Sequence, residues 1–141
     1  MRQHRHFVIT GLILFAIWGH LLAQPERVAY FPDTGRYIAQ LDPGDELLQR
    51  NVLISNREGS FNVSFALSFD QQNWGGYGLA PRYSSIFGLQ GREGCFVRLR
   101  TRASDGGTIE VIYNLVRGRC YSIYWNIELR RWDVTENRCR S

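Results

Sequence analysis

Apolar and polar residues alternate along several short stretches of the chain, most clearly between Phe61 and Phe69. In that stretch large apolar side chains occupy every second position and small or polar ones lie between them. This spacing places the two sets on opposite faces of an extended strand. The same alternation predicts further strands with one apolar face at Cys95–Thr101, Thr108–Leu115 and Cys120–Asn126.

Turn signals separate these strands. Ser104–Gly107 and Val116–Arg119 contain glycines that supply the positive φ of tight hairpin turns. Shorter strands are predicted for four more stretches: Arg36–Leu41, Val52–Ile54, Trp74–Leu79 and Tyr83–Phe87. Beyond residue 23 no segment shows a convincing helical period, although Asp45–Arg50 could form one helical turn.

Many short strands with turns between them predict an all-β fold, namely a single antiparallel β-sandwich or small open barrel without a substantial helix. The core is expected to include Tyr121, Trp125 and Trp132, because large aromatic side chains commonly fill such cores. Gln24–Asp33 and Thr135–Ser141 are predicted to be loosely held ends of this domain.

The first 23 residues follow a different pattern. Met1–His6 is basic, Phe7–Gly19 is apolar or small apart from Thr10, and Ala23 precedes Gln24. This layout is typical of a secretory signal peptide, so we expect residues 1–23 to be removed and residues 24–141 to be exported to the periplasm or the extracellular space. The alternative is an uncleaved membrane anchor extending to Ala23, although the apolar run is shorter than the roughly 20 residues of a spanning helix.

Charge and composition exclude several chemistries. All 17 basic residues are arginines, and the formal net charge is +4. Without the two arginines of residues 1–23, the charge is 15 − 13 = +2. The three histidines also lie in residues 1–23, and lysine is absent. The remaining domain therefore lacks the groups for a Ser-His-Asp triad, a Cys-His pair, histidine-ligated zinc or a Schiff base.

Three cysteines allow one disulfide and leave one thiol. If the segments around Cys120 and Cys139 form a hairpin that turns near Leu129, the two cysteines come close to bridging distance. We favour the pair Cys120–Cys139, with Cys95–Cys120 as the alternative.

Carboxylates are the remaining candidates for catalysis, since two acids would suffice for a glycosidase. The candidates are Asp70, Glu93, Asp105, Glu110, Glu128 and Asp133. Most of them lie at predicted turns, so we expect no enzyme. Asp42, Asp45 and Glu46 could ligate calcium, but Asp-Pro-Gly-Asp is first a turn signal. No metal or cofactor is therefore predicted.

Two surfaces are candidates for binding. The first is a set of arginines whose guanidinium groups suit carboxylates and phosphates: Arg98, Arg100, Arg102, Arg117 and Arg119. The alternative for this set is a charged outer face that keeps the domain soluble. The second surface is a glycine-rich aromatic stretch containing Trp74, Tyr77 and Tyr83, which could stack on sugars or fill the core.

These features favour a non-catalytic exported module that binds an envelope or extracellular ligand, such as a glycan or an anionic surface. The alternatives are a protein-interaction subunit or inhibitor and, less favoured, a carboxylate-only glycosidase. Nucleic acid is disfavoured as a partner by the compartment and by the low net charge. Membrane contact is expected only through an uncleaved signal.

Overall fold

The computed structural model describes residues 24–32 and 46–139. The predicted signal peptide, the Arg36–Leu41 strand, the Asp42–Asp45 turn and the proposed calcium ligands Asp42 and Asp45 lie outside these residues.

Nine strands and one helical turn make up the described part of the chain. In chain order they are β1 (Glu26–Pro32), α1 (Glu46–Gln49), β2 (Asn51–Asn56), β3 (Val63–Ser68), β4 (Gly75–Leu79), β5 (Tyr83–Gly88), β6 (Gly94–Arg102), β7 (Thr108–Val116), β8 (Cys120–Asn126) and β9 (Arg131–Asn137).

The strands form two packed sheets, which confirms the predicted all-β sandwich. The five-stranded sheet has the order β1-β5-β2-β8-β9, and the four-stranded sheet has the order β4-β3-β6-β7. All pairs are antiparallel except β2 and β8, which run parallel from Leu53 beside Cys120 to Asn56 beside Ile123. Edge strand β9 also packs against β6 and β7, so the sandwich is partly closed on that side.

The core lies between the sheets and comes from the alternating apolar positions. Val63, Phe65 and Leu67 of β3 are buried, as are Val97 and Leu99 of β6. A second, smaller cluster lies on the outer face of the five-stranded sheet, where α1 covers it. Its buried members are Leu48, Leu53, Ile86 and Cys120.

The chain connections fall at two ends of the sandwich. One end, which we call the hairpin end, contains residues 57–62, 80–82, 103–107 and 127–130. The strand registers show this, because Val63 is level with Leu79, Ser55 with Ser84 and Asn56 with Ile123. Residues 69–74, 89–93 and 117–119 lie at the opposite end. As predicted, Gly106 and Gly118 adopt positive φ, but the turn at Val116–Arg119 is not the predicted hairpin turn, because β7 and β8 lie in different sheets.

Several local predictions are wrong. Of the segment Gln24–Asp33, the described residues 24–32 are not a loose end, because β1 occupies most of them and pairs with β5. Thr135–Ser141 is not loose either as far as the structure describes it, because β9 extends to Asn137 and Cys139 is bridged. Phe61 lies in the β2–β3 loop and is 64% exposed, and Trp125 is 39% exposed although it was expected in the core.

The disulfide joins Cys120 and Cys139, whose Cα atoms are 5.2 Å apart, and the alternative Cys95–Cys120 is wrong. Cys120 is level with Asn137 in the β8–β9 ladder, so Cys139 follows two residues beyond it. Cys95 is a buried free cysteine in the main core, and its burial raises the pKa of the thiol to about 12.

Candidate binding surface on the four-stranded sheet

The outer face of the four-stranded sheet is uneven in side-chain size. On β3 and β4 the outward positions hold only small residues, namely Ser64, Ala66, Gly76 and Gly78. On β6 and β7 they hold larger ones, including Phe96, Arg98, Arg100, Glu110 and Ile112. The result is a low, flat strip bordered on one side by a ridge of charged and apolar side chains.

Trp74 and Arg98 meet across this strip. The Arg98 guanidinium lies over the Trp74 ring, with its central carbon 4.3 Å from the ring centroid. The arginine side chain is only 19% exposed, and its Nε is 3.9 Å from Glu110 Oε2. Arg98 is therefore held between the Trp74 ring, which it contacts as a cation–π pair, and the Glu110 carboxylate.

The β3–β4 loop fixes the position of Trp74. Asp70 Oδ1 accepts hydrogen bonds from the backbone N–H groups of Asn73 and Gln72, at 2.8 and 2.9 Å. These bonds, the Asn73 bond first, hold the pKa of the Asp70 carboxyl well below its usual range. Trp74 Nε1 donates to the Gln71 carbonyl at 3.0 Å, so the indole is anchored at its polar edge.

Three arginines share this face with one carboxylate. Arg100 Nε donates to Glu110 Oε2 at 2.7 Å, and the same carboxylate faces Arg98. Arg102 follows on the same side of β6 and is exposed. The β6–β7 part of the face thus carries a local excess of two positive charges, which suits an anionic ligand.

Arg117 and Arg119, which the sequence grouped with these arginines in one candidate set, are not part of this cluster. Both flank Gly118 in the β7–β8 turn, and Arg117 lies roughly 17 Å along β7 from Ile112, the partner of Arg98, at about 3.3 Å per residue. Arg117 pairs with Glu93 at 3.0 Å, and Arg119 pairs with Glu136 at 2.7 Å.

Tyr77 and Tyr83 face the interior rather than the candidate surface. Tyr77 contacts the rings of Phe65 and Phe87, and its hydroxyl donates to the Pro25 carbonyl. Burial is the main cause that raises its pKa. Tyr83 packs against the core and stacks on Tyr30 at 4.9 Å between ring centroids. Of the predicted aromatic stretch, only Trp74 therefore contributes to this outer face.

Most of the candidate carboxylates serve local structure. Glu93 pairs with Arg117, Asp105 accepts the N–H of Gly107, and Asp70 supports its own loop. Glu128 is exposed in the β8–β9 turn. These contacts give Glu93, Asp105 and Asp70 a role in folding that needs no substrate.

Asp133 is the exception in burial, since it is 7% exposed. It accepts hydrogen bonds from the Tyr113 hydroxyl, from Asn126 Nδ2 at 3.2 Å and from the Val134 N–H at 3.0 Å. Burial alone would raise its pKa, but these hydrogen bonds outweigh burial and the pKa is lowered. Asp133 thereby links β9 to β7 of the other sheet.

The sequence did not reveal the pairing of Trp74 with Arg98. Each residue was selected for its own chemistry, but nothing in either segment indicated that β4 and β6 flank β3 in one sheet. A second contact of this kind, Arg92 over the Phe69 ring at 4.0 Å, was also missed.

Within the described ranges, no helix is long and apolar enough to cross a membrane. Among the same residues, no group of three or more His, Cys, Asp or Glu side chains is placed to hold a metal ion. Comparison of the chain with protein-family models, with curated proteins and with solved structures found no significant match.

Proposed function

We propose that this protein is a non-catalytic exported module that binds an anionic glycan on the outer face of its four-stranded sheet. The observation that carries the proposal is the placement of Arg98 between Trp74 and Glu110 beside a flat strip of small residues. A sugar ring could lie beside the Trp74–Arg98 pair, on the part of the strip formed by Ser64, Gly76 and Gly78, where no bulky side chain of β3 or β4 projects.

The chemistry of the surrounding groups favours a charged sugar over a neutral one. A guanidinium group donates paired hydrogen bonds to carboxylate or sulfate oxygens, and aromatic rings stack against the apolar C–H faces of sugar rings. Three arginines facing one carboxylate leave positive charge for such a ligand. The Cys120–Cys139 disulfide supports an oxidising compartment, where extracellular and envelope glycans occur.

The test is a glycan array probed at two salt concentrations with wild-type protein and with the double variant Arg98→Ala/Arg100→Ala. Because a hydrogen bond to a charged group contributes about 1.5–3 kcal/mol, we expect binding to weaken at least about tenfold and its salt dependence to flatten. Trp74→Ala should also weaken binding without changing the charge of the protein.

The matched control is Arg117→Ala/Arg119→Ala, which removes the same charge from the β7–β8 turn. This control should keep most of the affinity. Equal losses in both double variants would point to unspecific charge attraction, and binding that ignores Arg98, Arg100 and salt would refute the proposal.

A further inference from the structure

Four large apolar side chains are exposed at the hairpin end of the sandwich, in the β2–β3 loop and the β8–β9 hairpin. Ile127 is 79% exposed, Phe61 64%, Leu129 51% and Trp125 39%. Burying such side chains away from water would be favourable, so their exposure on one end requires an explanation. We call these four residues the apolar tip.

The two segments that carry the apolar tip are tied to each other. The backbone N–H of Trp125 donates to Glu58 Oε1 at 2.8 Å, and the backbone N–H of Arg57 donates to the Ile123 carbonyl at 3.0 Å. The Trp125 ring packs edge-on against the Trp132 ring at 5.5 Å. The apolar tip is therefore presented by hydrogen-bonded turns of the fold.

Exposed arginines outnumber acids by one at the hairpin end. Residues 57–62, 80–82, 102–107 and 127–130 contain the exposed arginines Arg57, Arg82, Arg102 and Arg130 and the acids Glu58, Asp105 and Glu128. The Arg82 guanidinium lies against Gly59 of the β2–β3 loop, so it belongs to the same end of the molecule. This excess of positive charge complements an anionic surface.

The order of residues along the hairpin favours a lipid surface over a rigid protein. Ile127, Glu128, Leu129 and Arg130 alternate apolar with charged side chains. The core of a protein interface is depleted of charged residues, whereas the boundary between headgroups and acyl chains accepts separate apolar side chains while long arginines keep their charge in the headgroups.

We propose that the apolar tip inserts into the interfacial region of an anionic lipid bilayer, with Arg57, Arg82 and Arg130 at the headgroup phosphates. This contact is peripheral and separate from any membrane contact through residues 1–23. It also leaves the outer face of the four-stranded sheet uncovered, because that face is a side of the sandwich and the apolar tip is an end.

The experiment measures quenching of Trp125 fluorescence by vesicles of brominated phosphatidylcholine, with and without an equal part of phosphatidylglycerol. The signal of Trp125 is the difference between the full-length protein and its Trp125→Phe variant, so a retained N-terminal segment does not contribute to it. We expect the anionic vesicles to quench Trp125. The variant Arg130→Gln should need about fivefold more lipid for the same quenching.

The double variant Ile127→Ser/Leu129→Ser should require at least about tenfold more lipid for the same quenching. The control Val28→Ser/Val116→Ser removes two exposed apolar side chains outside the apolar tip and should behave as the wild type. An unquenched Trp125, equal losses in both double variants, or self-association through the apolar tip without lipid would each overturn the proposal.

Discussion

Arg98 and Arg100 depend on a single carboxylate, Glu110, for their charge partner. A bound anion would have to share these guanidinium groups with Glu110, so this carboxylate limits the charge that the surface offers. The contact of Arg98 with the Trp74 ring does not neutralise that charge.

We therefore predict that Glu110→Gln tightens binding of an acidic glycan by about three- to tenfold at low salt, since a neutral amide removes one competing negative charge. Titration at two ionic strengths checks the prediction, and the salt dependence should become steeper than in the wild type. Glu93→Gln is the control, because Glu93 pairs with Arg117 away from this surface. Weaker binding by Glu110→Gln would instead mean that the carboxylate itself contacts the ligand.

At the level of single elements, alternation along the chain predicted most strands near their observed bounds. β8 coincides with the predicted Cys120–Asn126, and β6 and β7 extend the predictions by one or two residues. Phe61 was predicted at the start of β3 but lies in the β2–β3 loop. Its carbonyl accepts a hydrogen bond from Asn56 Nδ2, and the strand begins at Val63. β1 was missed since its register shifts between Arg27 and Ala29, which removes a regular alternation.

The contact of β9 with β7 through Asp133 leads to a prediction on stability. Asp133→Asn should lower the free energy of unfolding by about 1–3 kcal/mol at neutral pH, because a buried, charge-assisted set of hydrogen bonds is weakened. Tyr113→Phe should cost less, and the double variant should lose less than the sum of the two. Denaturant unfolding of the four proteins measures these differences.

The same cluster has a pH dependence of defined sign. The pKa of Asp133 is lowered in the fold, so its ionised form stabilises the protein above the unfolded pKa of about 4, and this stabilisation is lost as pH falls through the folded value. The difference between wild type and Asp133→Asn should therefore shrink in acid. Glu128→Gln, an exposed change in the same hairpin, should leave the acid profile close to that of the wild type.

At the scale of the whole molecule, the sequence indicated two packed layers but not the order of the strands in them. Turn signals describe neighbours along the chain: the one at Ser104–Gly107 correctly joined β6 to β7, whereas the one at Val116–Arg119 connects β7 to β8, which lie in different sheets and form no hairpin. The parallel pairing of β2 with β8 joins segments far apart in sequence, which no turn signal reports. The candidate site depends on another long-range pairing, that of β3 with β6, so its residues could be proposed singly while their meeting could not.

The Cys120–Cys139 disulfide acts at the same scale, because it fastens the end of β9 to the start of β8 on the face that α1 covers. Replacing both cysteines by serine should lower the free energy of unfolding by about 3 kcal/mol. The bridge closes a loop with a sequence separation of 19 and so lowers the conformational entropy of the unfolded chain. Denaturant titration of wild type and variant measures the loss.

A reductant should bring the wild type to the stability of the variant and leave the variant unchanged, because the remaining Cys95 is buried and unpaired. If the reductant leaves wild-type stability unaltered, the bridge does not stabilise the fold, and the C-terminal segment is held by the β8–β9 ladder alone.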